Sequence, residues 1–178
     1  MRVRTVVLTT LVLVAAPAAA QPAAAEVPEG PPGTFWLDDG DTGDRWELVL
    51  RDAVAYRTFE EYPGGTLTIV SVVLASQPVN RDRMRAELGG EDDLWHTHGP
   101  HLKVDLCERD RGWTACGLHV QLLRKSISGS VGDDDIVESL TVSGDRVQAR
   151  FATGERLTFF DDRYGFEATI DLPIETFD

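Results

Sequence analysis

The stretch Tyr164-Gly-Phe-Glu-Ala-Thr-Ile-Asp-Leu172 decides the fold class of this 178-residue chain. Tyr164, Phe166, Ala168, Ile170 and Leu172 are each separated by one residue, and period two puts all five on one face of an extended strand. The spacing predicts an amphipathic β-strand with its apolar row in a core. Working back towards the N-terminus, Leu157–Phe160 reads as a short strand. The segments IVESLTVS and RVQARFA flank Gly144-Asp145, a turn dipeptide that closes a hairpin with Val142 facing Val147. TLTIVSVVLAS, Thr66–Ser76, is rich in β-branched residues without polar alternation, the pattern of a central strand buried on both faces. Trp46, Leu48 and Leu50 alternate with Glu47, Val49 and Arg51, which predicts a half-buried strand, and Ala53–Phe59 continues extended until EEYPGG breaks it. Only Pro78–Leu88 has helical character, with Asn80 as its N-cap and Gly89-Gly90 as its stop. About nine strands at short spacing with one short helix predict an all-β fold, an antiparallel β-sandwich or small barrel.

Side-chain chemistry concentrates between Trp95 and His119, a stretch that holds both cysteines and all four histidines. Leu102, Val104 and Leu106 form one apolar row, and Cys116, Leu118, Val120 and Leu122 form its partner. Matching the rows pairs Val104 with Leu118 and Leu106 with Cys116, closed by a three-residue loop Asp110-Arg111-Gly112. That register turns Cys107 to the face away from Cys116. A two-residue turn at Arg111-Gly112 would instead set the cysteines opposite each other, at the cost of a positive φ on Arg111. A β-bulge would reconcile the two demands, because one extra residue flips the face. In an exported chain two unpaired thiols are unusual, so a structural disulfide Cys107–Cys116 is expected.

His96 and His98 share a face of an extended segment, and Gly99-Pro100 bends the chain so that His101 returns towards them. His119 falls opposite Lys103 in the hairpin register, on the same face as His101. Imidazole is a preferred ligand of zinc and copper(II), so His96, His98, His101 and His119 are the candidate metal ligands. An ordinary polar surface loop is the competing explanation. Asp39-Gly-Asp41-Thr-Gly-Asp44 hints at a calcium loop, but Gly43 stands where a third oxygen ligand belongs and Leu50 where a bidentate Glu belongs. A polar turn is expected there instead. Ser128-Gly-Ser130-Val-Gly132 leads into a strand, where a phosphate loop would need a helix N-terminus. The sequence contains no G-x-S-x-G, H-E-x-x-H or C-x-x-C motif.

The first 25 residues have a basic start, an apolar run and a small-residue zone, the layout of a secretory signal peptide. Cleavage after Ala20 or Ala25 fits equally well, and no integral membrane segment is expected. Residues 26–34 read as a Pro/Gly-rich linker and 35–178 as a single β domain. The mature chain is expected in the periplasm or outside the cell. Loss of Arg2 and Arg4 takes the formal charge from −13 to −15. A field of that sign repels nucleic acid, so no nucleic-acid partner is expected.

The runs ELVLRDAVAYR, TIVSVVLASQPV and YGFEATIDLPI resemble small exported bacterial β proteins of unknown function, matched through Asp52–Ala55, Leu74–Val79 and Phe166–Ile174. The resemblance implies a β fold and carries no functional residues. Two functions remain open from sequence: a non-enzymatic exported domain with a binding or structural role in the cell envelope, or a zinc- or copper-binding protein or metal-assisted enzyme using the histidine loop.

Overall fold

A computed structural model describes residues 32–88, 99–123, 125–153 and 157–176. Among them eleven strands form one continuous sheet folded over into two layers. The strands are β1 (Gly33–Asp38), β2 (Arg45–Leu50), β3 (Asp52–Tyr62), β4 (Gly65–Ala75), β5 (His101–Arg109) and β6 (Gly112–Gln121). They continue with β7 (Ser126–Gly129), β8 (Val137–Ser143), β9 (Arg146–Ala152), β10 (Leu157–Phe159) and β11 (Asp162–Thr176). The helices are α1 (Arg81–Leu88) and the single turn α2 (Asp133–Ile136). The all-β expectation of a sandwich or small barrel holds, and no described helix is long and apolar enough to cross a membrane.

β11 organises both layers. Its first half pairs with β1 along one edge and with β10 along the other, and residues 167–173 then pair with β9. Its last residues, Ile174–Thr176, leave that layer and pair with β3. The period-two row behaves as expected: Tyr164, Phe166, Ala168 and Ile170 are buried, while Glu167 and Thr169 are exposed. Among the described residues the strand pairings are antiparallel apart from the short β11–β3 contact, which is parallel. The sequence pattern stops at Leu172 since Pro173 reads as a strand terminator. The strand runs through Pro173, and only the residues beyond it reach β3.

One layer is therefore β2-β1-β11-β9-β8 and the other is β3-β4-β5-β6-β7. Phe35, Leu37, Phe151 and Phe166 from the first layer meet Val70, Val72, Leu74, Val104, Leu106 and Leu118 from the second in one core. β4 is buried on both faces, as its unbroken apolar run predicts. Its other face, with Val73 and Ala75, lies with Val54 and Tyr56 under Val79 and Met84, the latter on α1. α1 starts where expected, with the Asn80 carboxamide oxygen accepting the Arg83 N–H at 3.0 Å.

Two local readings change. β1 begins at Gly33, inside the stretch read as linker, and pairs with Ala168. Only glycine fits there, because a Cβ would run into the Glu167 carbonyl oxygen. β2 is an edge strand, so Leu50 is buried but Trp46 stays exposed.

The β5–β6 hairpin resolves the cysteine conflict. Val104 pairs with Leu118 as expected, but the register shifts between Asp105 and Leu106, so Leu106 faces Ala115. Cys116 is the extra residue of that bulge, turned to the face of Cys107, and the two sulfurs are bonded with a Cα–Cα distance of 5.9 Å. The turn has two residues, Asp110 and Arg111, rather than three, and Gly112 takes the positive φ of +117° that Arg111 would have borne. Non-reducing peptide mapping should recover the Cys107–Cys116 link. In the chain-entropy model so short a loop gives at most about 3 kcal/mol. Cys107→Ala/Cys116→Ala should therefore lower Tm by no more than roughly 6–12 °C, read by thermal circular dichroism.

Candidate functional site

Two regions bring functional groups together, one on each face of the β3–β7 layer. The first lies on the outer face and is a row of polar side chains crossing the strands. Ser71 on β4 donates to Asp105 Oδ1 on β5 at 2.6 Å, and Tyr56 on β3 bonds to Ser71. Asp105 Oδ2 lies 3.2 Å from both Lys103 Nζ and His119 Nε2. His119 Nδ1 in turn lies 3.0 Å from Ser128 Oγ on β7. The register explains the alignment: Tyr56 pairs with Ser71, Ser71 with Asp105, and His119 with Ser128.

The electrostatics of this row follow from its geometry. Burial alone would raise the Asp105 carboxyl, but the His119 bond, the Lys103 charge and the Ser71 hydroxyl together hold it below the usual carboxylate range. Tyr56 sits beneath the helix, and burial pushes its phenol up to about 12. An ionised Asp105 only accepts hydrogen bonds, so in the neutral imidazole form of His119 the proton sits on Nε2, facing Asp105, and Nδ1 accepts from Ser128. Gly117 faces Asp105 across the hairpin, and a Cβ there would lie 3.1 Å from Asp105 Oδ2. Its bare backbone leaves room for the carboxylate and imidazole to meet.

The histidines expected as metal ligands divide. His96 and His98 lie outside the described residues. His101 and His119 stand on the same outer face, with Lys103 between them in register. His101 is buried, and its Nδ1 lies 2.8 Å from the Gly99 carbonyl oxygen. A carbonyl can only accept, so that nitrogen bears the proton and Nε2 is the basic one. The described residues contain no cluster of three or more metal-ligating side chains.

The second region is a cleft of about 420 Å³ at the open end of the two layers, lined by Arg57, Phe59, Thr68, Glu108, Trp113, Val142 and Gly144. Arg57 and Phe59 continue the inward-facing row of Ala53 and Ala55 past the end of the core. Phe59 pairs with Thr68, and Glu108 with Trp113, while Val142 and Gly144 come from the opposite layer. Phe59 is 62% exposed, a large apolar ring left open on an inward-facing position. Arg57 donates to the Gly144 carbonyl, yet its Nε is buried without a hydrogen-bond partner. A larger hollow of about 740 Å³ adjoins it, lined by Tyr62, Leu67 and the charged turn residues Arg109, Asp110 and Arg111.

The acidic turn proves to be a closed ion cluster. Lys125 Nζ reaches Asp39 Oδ1 at 3.0 Å, Asp41 Oδ2 at 3.4 Å and the nearly buried Asp162. Burial opposes the charge on Lys125, but Asp162 and Asp39 more than compensate and raise its pKa. The Lys125 hydrogen bond likewise holds the Asp39 carboxyl low. An ammonium thus occupies the place where carboxylates of this spacing would gather a cation.

Sequence reasoning missed Asp105, Ser128, Arg57 and Lys125. The hairpin register does put His119 beside Lys103 and Asp105 on one face, which is the signal for the outer row. Nothing local announces Arg57 or Lys125, whose partners lie 87 and up to 86 residues away. Compared with known proteins, the chain matches no family model, no curated protein and no solved structure. The site therefore rests on its own chemistry.

Asp39, Asp105 and Asp171 all have carboxyls held low in the fold, Asp171 chiefly by its bond from Arg146. The unfolded chain then takes up protons first on acidification, and the stability these groups supply is lost as pH falls through the carboxylate range. The urea midpoint should be flat from pH 7 to about 5 and fall below about 4. Asp105→Asn should make that fall shallower, and a midpoint that rose towards pH 3 would contradict the assignment.

Proposed function

We propose that the protein is an exported, extracytoplasmic binding domain that takes a small ligand in the cleft at the open end of its two layers. The observation that carries this reading is the unpartnered Arg57 Nε in a wall shared with Phe59 and Trp113. Open ends of β-barrels and sandwiches are common ligand sites, in which an apolar wall supplies contact area and a few polar groups fix orientation. A buried donor left without a partner costs roughly 1–3 kcal/mol, and a ligand acceptor that displaces the groups covering Nε would recover part of that. The chemistry favours a molecule with an apolar ring or alkyl body and a carboxylate or carbonyl directed at Arg57. Export is supported by the leader-like N-terminus and by the Cys107–Cys116 bond, which persists in oxidising compartments. A panel of aromatic carboxylates, followed by tryptophan fluorescence, tests the reading. At least one should quench the emission saturably, and Arg57→Ala should weaken it by tenfold or more. Unchanged affinity in Arg57→Ala and Phe59→Ala together would remove the cleft from consideration.

A second reading has one observation in its favour, the His101 tautomer that makes Nε2 the basic nitrogen. In it His96, His98 and His101 bind zinc or copper(II). His119 joins them only if Ser128 gives up its bond to Nδ1. Calorimetry on the untagged protein should then show micromolar or tighter binding that disappears in His96→Ala/His98→Ala. Equal binding in both proteins, or none in either, ends this reading.

A further inference from the structure

We propose that Ser128 is a nucleophilic serine, activated by His119 with Asp105 behind it, and that this outer face hydrolyses small carboxylic esters. The site is separate from the end cleft and would add an activity to a binding domain.

Five adjacent strands each contribute one member of a single chain of hydrogen bonds: Tyr56, Ser71, Asp105, His119 and Ser128. The direction of every bond is fixed by the ionised carboxylate in the middle. Asp105 accepts from Ser71 on one side and from His119 Nε2 on the other. The remaining imidazole nitrogen, Nδ1, faces the Ser128 hydroxyl at 3.0 Å. A hydroxyl held by a basic nitrogen, with a carboxylate fixing the far side of the ring, is the arrangement that activates a serine. Here the two ring nitrogens exchange roles relative to the familiar triad, which leaves the proton bookkeeping unchanged.

Three further features suit the reaction. Ser128 is exposed and stands on an edge strand, where a substrate carbonyl can approach. The Leu122 N–H donates to the Lys125 carbonyl at 2.8 Å, which makes that the first hydrogen-bonded pair of the β6–β7 ladder. Such pairs alternate, so His119 and Ser128 form a non-hydrogen-bonded pair, with side chains close and the Ser128 N–H directed away from β6. Among the described residues β7 pairs only with β6, so that N–H faces the sheet edge beside Oγ, where it can meet a developing oxyanion. Lastly, Gly117 is the residue whose missing Cβ keeps Asp105 and His119 in contact. A purely structural His–Ser pair across two strands would require neither the carboxylate behind the ring nor an exposed hydroxyl at its end.

In the reaction Ser128 Oγ attacks the ester carbonyl carbon while its proton passes to His119 Nδ1, and Asp105 stabilises the imidazolium. The ester C–O bond then breaks, and the departing alkoxide takes that proton and leaves as the alcohol. Water repeats the sequence on the acyl-serine, releasing the carboxylic acid and restoring the hydroxyl. The open position of Ser128 favours short acyl groups.

The test treats the oxidised full-length chain with a fluorophosphonate probe and, separately, with p-nitrophenyl acetate. Peptide mass mapping should find the phosphonyl adduct on Ser128, and Ser128→Ala should lose both the adduct and the ester hydrolysis. His119→Gln should slow labelling at least 100-fold, and Asp105→Asn at least tenfold, with far-UV circular dichroism unchanged. If either inner variant fails to fold, Ser128→Ala, at an exposed position, decides alone. No adduct on Ser128, labelling at an undiminished rate in folded His119→Gln, or hydrolysis that persists in Ser128→Ala would each overturn the proposal.

Discussion

One strand serves two layers, and the rest of the fold depends on it. β11 hydrogen-bonds to β1, β10, β9 and β3 in turn along its fifteen residues. Every buried backbone group on such a strand needs a partner on both edges, and no single neighbour is long enough to supply them. The sheet therefore has to fold over where the partners change. That crossing sets the layers face to face, and within one of them Phe166 on β11 and Phe151 on β9 lie 6.3 Å apart between ring centroids. A break in β11 would detach β3 and, with it, the layer that carries both candidate sites.

The β3–β7 layer is covered on both faces, and this double cover shapes its chemistry. Its inner face meets the other layer, and part of its outer face lies under α1. Polar groups on a covered face must find each other, since water is not available to satisfy them. The row from Tyr56 to Ser128 is one such solution, running from the covered strands to the free edge. Arg57 on the inner face is another, only half complete: its terminal nitrogen has the Gly144 carbonyl while Nε has nothing. The complete network fixes an imidazole and a hydroxyl in place. The incomplete one leaves a buried donor without an acceptor. The Lys125 cluster is a third solution, in which an intramolecular ammonium bridges Asp39, Asp41 and Asp162 and takes the place of a cation in the turn that resembles a cation loop.

The sequence by itself determined the alternation of Tyr164–Ile170, the central position of β4, the Asn80 cap and the Val142–Val147 hairpin, because each is a contest between neighbours at short range. It also narrowed the cysteine problem to three registers and showed that a bulge would satisfy both the apolar rows and the disulfide. Only the tertiary structure decided that the bulge forms at Cys116, since the choice depends on how β4 and the core hold β5 in register. The parallel β11–β3 pairing, the end cleft and the Lys125 cluster were likewise illegible, because each joins residues from distant parts of the chain. His119 shows the boundary most clearly. Periodicity placed it on a face with Lys103 and Asp105, but whether its ring met a metal, a carboxylate or a hydroxyl depended on Gly117 leaving room and on β7 bringing Ser128 alongside.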